Sequence, residues 1–335
     1  MLAYRFFSLQ HTSLISQLIY PIRMPLFFFI SGFFAYNANR KIDNLSSYIY
    51  EILKKGRIQL VSTLLFGGLF TYIIYKQNFI DFLSMPLKNG YWFTIALFFM
   101  FFIYYSLIYL TKRYQIKINP ILITSSLVLY GCISLVHLPY INNIYNIFCL
   151  YSVFKYFLFF IIGILTAQYK NKVNSLLNLN FFLTLTIFIF IICSYIFYIQ
   201  LPLQELPIIN KLIEHIFRNT IALSGIIILF CAFSKYQFIF IKSNKIGRSL
   251  QYIGKHTLEI YILHYFFLPK LPQIGIFLNS YNNIIIEFAI SIILAILVII
   301  ICIIVSNILR LSPFLDYWLW GGKNNSKETK LTIFK

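Results

Sequence analysis

The chain is 335 residues long, 60% hydrophobic and 20% aromatic, with only 11% charged residues and a mean hydropathy of +0.79. A soluble globular domain carries roughly 25% charged residues, so that class is excluded and a polytopic membrane protein is implied. The formal charge of +19 does not imply nucleic acid, because Lys and Arg fall in short stretches between apolar blocks, where they set orientation in a bilayer.

Those blocks are too long and too uniformly apolar for alternating barrel strands, so they read as helices that satisfy their own backbone inside lipid. The expected fold class is an all-α transmembrane bundle of about ten spans. The first span, 1–20, is unusually polar, with Arg5, Gln10, His11 and Gln17, and a surface-lying amphipathic helix is its alternative reading. The second, 24–38, is short, and a loop carrying Arg40, Lys41, Lys54, Lys55 and Arg57 follows it. The remaining spans are expected at 58–76, 91–111, 120–138, 153–169, 180–199, 219–241, 257–269 and 284–308.

Most of the 28 basic residues fall on one side when the spans are threaded. The positive-inside rule then puts both termini in the cytoplasm and the chain in the inner membrane as a multi-pass protein. Residues 1–323 form the membrane domain and 324–335 a short basic cytoplasmic tail. No appended soluble domain and no cleavable leader are expected. The five cysteines are scattered singly, without ligand spacing, and read as packing residues; no metal is implied.

Few ionisable side chains fall at membrane depth or at its edges: His11, Arg23, Lys155, Glu259, His264 and Glu287. A buried neutral histidine can accept a proton near neutral pH, so His11 and His264 are candidate general bases, with a helix–helix hydrogen bond as the structural alternative for either. Lys54, Lys55 and Arg57 form a compact cationic cluster, suited equally to the phosphates of a nucleotide-like donor and to simple anchoring. There is no G-x-S-x-G elbow, no H-E-x-x-H and no P-loop, so hydrolase, zinc protease and NTPase readings have no support.

Residues 23–34, R-M-P-L-F-F-F-I-S-G-F-F, resemble the second helix of the acyltransferase family 3 integral membrane O-acyltransferases, H-M-P-L-F-F-F-I-S-G-Y. Residues 89–97, N-G-Y-W-F-T-I-A-L, are similar to that family's G-x-x-W-F-L-x-x-L, and 253–267, I-G-K-H-T-L-E-I-Y-I-L-H-Y-F-F, to its L-G-K-x-S-L-x-I-Y-L-L-H. The closing W-G-G-K, 320–323, resembles its frequent terminal F-G-K. The resemblance runs from about residue 8 to 323.

It implies transfer of an acyl group, most often acetyl, from acyl-CoA as co-substrate to a sugar hydroxyl of a cell-surface polysaccharide or its lipid-linked precursor. His11, 13 residues before Met24, takes the position of the family's histidine and the role of catalytic base. Lys54 and Arg57 would meet the CoA phosphates beside Lys55, while Trp92, Tyr261 and His264 would line the central cavity with Glu259 at its edge. Arg23 stands where close relatives have a second histidine, at the acceptor side. A basic residue usual eleven positions before the histidine matched by His11 would fall before Met1, so a natural start further upstream is expected. Two other readings stay open: an exporter of polysaccharide or lipid-linked sugar, and an inactive family member acting as an assembly partner.

Overall fold

The computed structural model describes residues 14–38, 40, 42–132, 146–177, 179–200, 208–241, 244–268 and 284–322. His11, most of the first expected span and the 324–335 tail lie outside them. Among the described residues every regular element is helical, and seven helices are long and apolar enough to cross a membrane.

The first is α1, Leu14–Ala35. It runs unbroken through positions 21–23, where the sequence suggests a boundary, and contains Pro21 and Pro25. Each proline removes one backbone donor, a loss that membrane helices tolerate where neighbours re-satisfy the freed carbonyl. The second long helix, α2, is Leu45–Tyr75, so the basic stretch read as a loop is helical and carries Lys54, Lys55 and Arg57 into a span. A π-helical turn at Arg57–Val61 marks the join.

The chain continues through α3 (Phe79–Ser84), α4 (Trp92–Arg113), α5 (Ile118–Gly131), α6 (Leu150–Gln168), α7 (Lys170–Leu177) and α8 (Asn180–Tyr195). It then forms α9 (Ile208–Lys235), α10 (Lys245–Lys255), α11 (Thr257–Phe267) and α12 (Ile284–Arg310), and closes on a further π-helical turn, Asp316–Trp320. Helix α11, the short ninth block of the sequence, has only 11 residues, about 16 Å at 1.5 Å per residue and well short of a ~30 Å hydrocarbon core.

The described chain divides into two compact units. One holds α1, α6 from Tyr156 onward, α7, α8, α9 and most of α10; the other holds α2 to α5, α11, α12 and the terminal turn. In the first unit α9 packs on both α8 and α1. Phe29 and Phe33 of α1 meet Phe230 of α9 through their rings, and Phe28 stacks on Tyr156 of α6 at 5.2 Å.

Glycine sets how closely α1 and α6 approach. A Cβ on Gly32 would land on the Phe160 carbonyl, and one on Gly163 would land on the Phe29 carbonyl. The two backbones therefore touch through reciprocal glycines, the small-residue contact that lets helices associate where lipid offers no hydrophobic drive. The residue of the I-S-G triplet that does this is Gly32; its neighbour Ser31 is half-buried.

Gly32→Ala is expected to destabilise the protein by roughly 1–3 kcal/mol, the usual cost of forcing a methyl into a filled contact. Gly254→Ala, where a Cβ meets nothing within 4 Å, is the matched control. Thermal unfolding in detergent should show a lowered midpoint for the first and an unchanged or raised midpoint for the second.

Candidate active site

Between α3 and α4 the chain turns through Lys88, Asn89 and Gly90, at φ of 41°, 53° and 108°. Three successive left-handed residues are costly for anything but glycine and asparagine, so the turn needs side-chain support. Lys88 supplies it. Its side chain is fully buried, and its ammonium donates to the carbonyls of Leu83 (2.5 Å), Asn146 (2.7 Å) and Met85 (3.3 Å). Three donors meet three acceptors, the full capacity of an ammonium. Asn89 donates to the Thr71 hydroxyl at 2.9 Å. Burial pushes the Lys88 ammonium below its usual range and the adjacent Cys149 thiol up to about 11, so this cysteine stays protonated.

The turn is also the docking point of α11. The Gly90 carbonyl accepts from the hydroxyls of Tyr261 at 2.5 Å and Tyr265 at 2.9 Å, while the Tyr91 hydroxyl donates to the Ile262 carbonyl at 2.9 Å. The Phe93 amide donates to the Tyr261 hydroxyl at 3.3 Å. A Cβ on Gly90 would strike the Tyr265 ring, so glycine is required there for space as well as for φ. Two of the sequence motifs, N-G-Y-W and I-Y-I-L-H-Y, are thus the two halves of one clamp, with Trp92 buried at the start of α4 beside it.

His264 is half-buried on α11, its ring 3.9 Å from that of Tyr265. Its Nδ1 lies 2.6 Å from the Tyr261 carbonyl and 3.1 Å from that of Ile260. Carbonyls only accept, so Nδ1 carries the proton and the lone pair of the neutral ring is on Nε2.

Glu259, one turn earlier, is buried and engaged on both oxygens: it accepts from His256 Nδ1 at 2.6 Å, from the Ser306 hydroxyl and from the Arg310 guanidinium. Arg310 also donates to Asp316 at 3.1 Å. Asp316 packs on Gly322, and Gly321, at φ 77°, packs on Ile58 of α2. The closing W-G-G motif is therefore tied to α11 through one ion-pair network and to the π turn of α2 through direct contact.

That contact brings Tyr317 under Arg57, whose guanidinium carbon sits 3.7 Å from the ring centroid. Lys55 lies over Phe101 at 4.2 Å and Lys54 over Tyr50 at 5.9 Å. Among the described residues these three cations have no carboxylate within ion-pair distance, whereas Arg40, Lys112 and Arg218 each have one and Arg310 has two.

The second unit thus holds Lys54, Lys55, Arg57, Trp92, Glu259, Tyr261 and His264. Arg23 belongs to the first, half-buried on α1 with its guanidinium over Tyr20 at 5.6 Å. Sequence reasoning missed Lys88, which it counts as a loop cation. The usable signal was the lysine directly before Asn-Gly, a dipeptide that announces positive φ.

A family model described as an acyltransferase domain matches residues 1–306 of the chain. No curated protein and no solved structure matches it.

Lys88→Met strands three carbonyls at a cost of ~1–3 kcal/mol each, so it should lower the thermal midpoint of the purified protein by several degrees. Lys76→Met, at an exposed helix end, should leave that midpoint in place. Equal midpoints for the two variants would contradict the assigned role.

Proposed function

The chain belongs to acyltransferase family 3, and from that membership we propose that it is an O-acyltransferase. It moves an acyl group, acetyl in the first instance, from acyl-CoA to a sugar hydroxyl of a cell-surface polysaccharide or its lipid-linked precursor. The observation that carries the donor half of this reading is the cluster of Lys54, Lys55 and Arg57, which among the described residues has no carboxylate within ion-pair distance, with Arg57 held by the Tyr317 ring. A polyanionic ligand would meet those cations, and each cation–phosphate contact is a strong, charge-assisted bond.

In the reaction, a neutral histidine accepts the proton of the sugar hydroxyl, whose oxygen becomes the nucleophile. The thioester C–S bond is exchanged for a C–O ester bond, and the proton leaves with the CoA thiol. We assign the acceptance to His11. His264, with Nδ1 committed to a main-chain carbonyl, offers Nε2 as a second acceptor in the same chemistry. Trp92, Tyr261 and Glu259 are proposed to line the acyl-transfer cavity, whose closure from water protects the activated acyl group, and Arg23 is proposed to act on the acceptor. The basic end of α2 is placed on the cytoplasmic side of the inner membrane by its charge, facing the compartment that holds acyl-CoA.

O-acetyl analysis of surface polysaccharide with and without the gene tests the reading: one acetyl signal should vanish while the polymer remains. A fall in the polymer itself would favour export.

Two variants follow. His11→Ala should lower acyl transfer by about 100-fold or more, the scale of a lost general base, at an unchanged level in the membrane; near-normal transfer would pass the role to His264. Replacing Lys54, Lys55 and Arg57 together by Gln should raise the KM for the donor by roughly tenfold or more with insertion retained. An unchanged KM would leave these residues an anchoring role only.

A further inference from the structure

The end of α9, the turn after it and the start of α10 form one exposed platform in the first unit. The apolar stretch Ile213–Lys235 of α9 is long enough to cross a bilayer, so Lys235 stands at the edge of a span, and every residue from Ala232 to Phe238 is exposed. The chain then turns through Gln237–Phe240, a short 3₁₀ segment, and enters α10 at Lys245. Three contacts hold this arrangement. The Phe233 and Phe240 rings meet at 4.9 Å, Gln251 donates to the Phe240 carbonyl at 2.6 Å, and a Cβ on Gly247 would strike the Ile241 carbonyl, so the α10 backbone lies directly on the turn.

With Gly247 and Gln251 spent on the turn, two other faces of α10 point outward. Ile246 and Leu250, four residues apart, make an apolar ridge and are 58% and 44% exposed. Lys245, Arg248 and Tyr252, spaced three and four, share a separate face and are exposed as well. An apolar ridge opposed to a basic face, beside the exposed rings of Tyr236 and Phe238, is the layout of a helix that lies flat in a bilayer interface. The charge is of one sign. Between Glu214 and Glu259 the sequence holds no acidic residue, whereas Lys235, Lys242, Lys245, Arg248 and Lys255 fall in that stretch. Among the described residues the side chains of Lys235, Lys245 and Arg248 make no hydrogen bond or ion pair. Two alternative occupants carry the wrong charge: a second copy brings the same cations, and the chain's own tail holds Lys323, Lys327, Lys330 and Lys335 against Glu328.

We propose that this platform is a docking surface for anionic phospholipid. Headgroup phosphates meet Lys235, Lys245 and Arg248, while Ile246 and Leu250 seat on the upper acyl chains. Its charge places the platform on the cytoplasmic leaflet. Each cation close to an anionic leaflet adds to the attachment, and salt screens it. The lipid composition of the bilayer then sets how firmly α10 is held, independently of the reaction that the protein performs.

The test is amide hydrogen exchange, read by mass spectrometry, of the full chain in nanodiscs of phosphatidylcholine and of an equal mixture of phosphatidylcholine with phosphatidylglycerol. Amides of residues 245–252 should exchange about tenfold more slowly in the anionic bilayer, and molar salt should shrink the difference. Replacing Lys235, Lys245 and Arg248 together by Gln should remove it. The charge-keeping set Lys235→Arg, Lys245→Arg and Arg248→Lys should retain it, which separates lost charge from a disturbed fold. Lys170→Gln with Lys172→Gln, two exposed cations on α7, should also retain it. Equal exchange in the two bilayers, slowing that survives the Gln set, or slowing shared alike by α1 and α9 overturns the inference. So does loss of the effect in the α7 variant, which would make total charge responsible and not this face. Protection that is present in native membranes but missing in both kinds of nanodisc would give the platform to a protein partner and likewise overturn it.

Discussion

The clamp around the Lys88–Gly90 turn organises the second unit. Three residues in left-handed geometry cannot hold themselves, and their polar atoms sit where water is scarce. The protein closes them with a fully buried ammonium on one side and two tyrosine hydroxyls on a single carbonyl on the other. Helix α11 is too short to be positioned by packing along its length alone, and those hydroxyls fix its depth and rotation. The orientation of His264, which lies between Tyr261 and Tyr265 in sequence and bonds the Tyr261 carbonyl, follows from the same fixation.

Glu259 extends that fixation to the far end of the chain. One carboxylate collects donors from α11 and α12, and Arg310 passes the connection to Asp316 and the closing turn. A buried ion pair is weak evidence of stability, because desolvation offsets most of its attraction. Its value here is geometric: it ties α11, α12 and the Asp316–Trp320 turn into one arrangement, and that turn is the platform on which Arg57 rests. A residue with the look of a catalytic carboxylate thus serves to hold the elements that carry the cationic cluster. In the first unit two helices instead meet through the backbone contact of Gly32 with Phe160 and of Gly163 with Phe29.

Composition and block length alone determined that the chain is helical and crosses a membrane, because a bilayer leaves so few ways to satisfy a backbone. The motifs also located the family. Boundaries were less legible. Helix α1 passes through Pro21 and Arg23, and α2 absorbs the basic stretch before Ile58, because helix continuity depends on neighbours that accept freed carbonyls and long side chains, not on local hydropathy. What only the tertiary structure decided is which polar side chains are spent and which remain available. Lys88 and Arg113 look alike in the sequence, each a cation at the edge of α4. Lys88 is consumed by three carbonyls from segments as distant as Asn146, while Arg113 has no hydrogen bond or ion pair among the described residues, and no pattern within the chain encodes that difference because the partners meet only on folding.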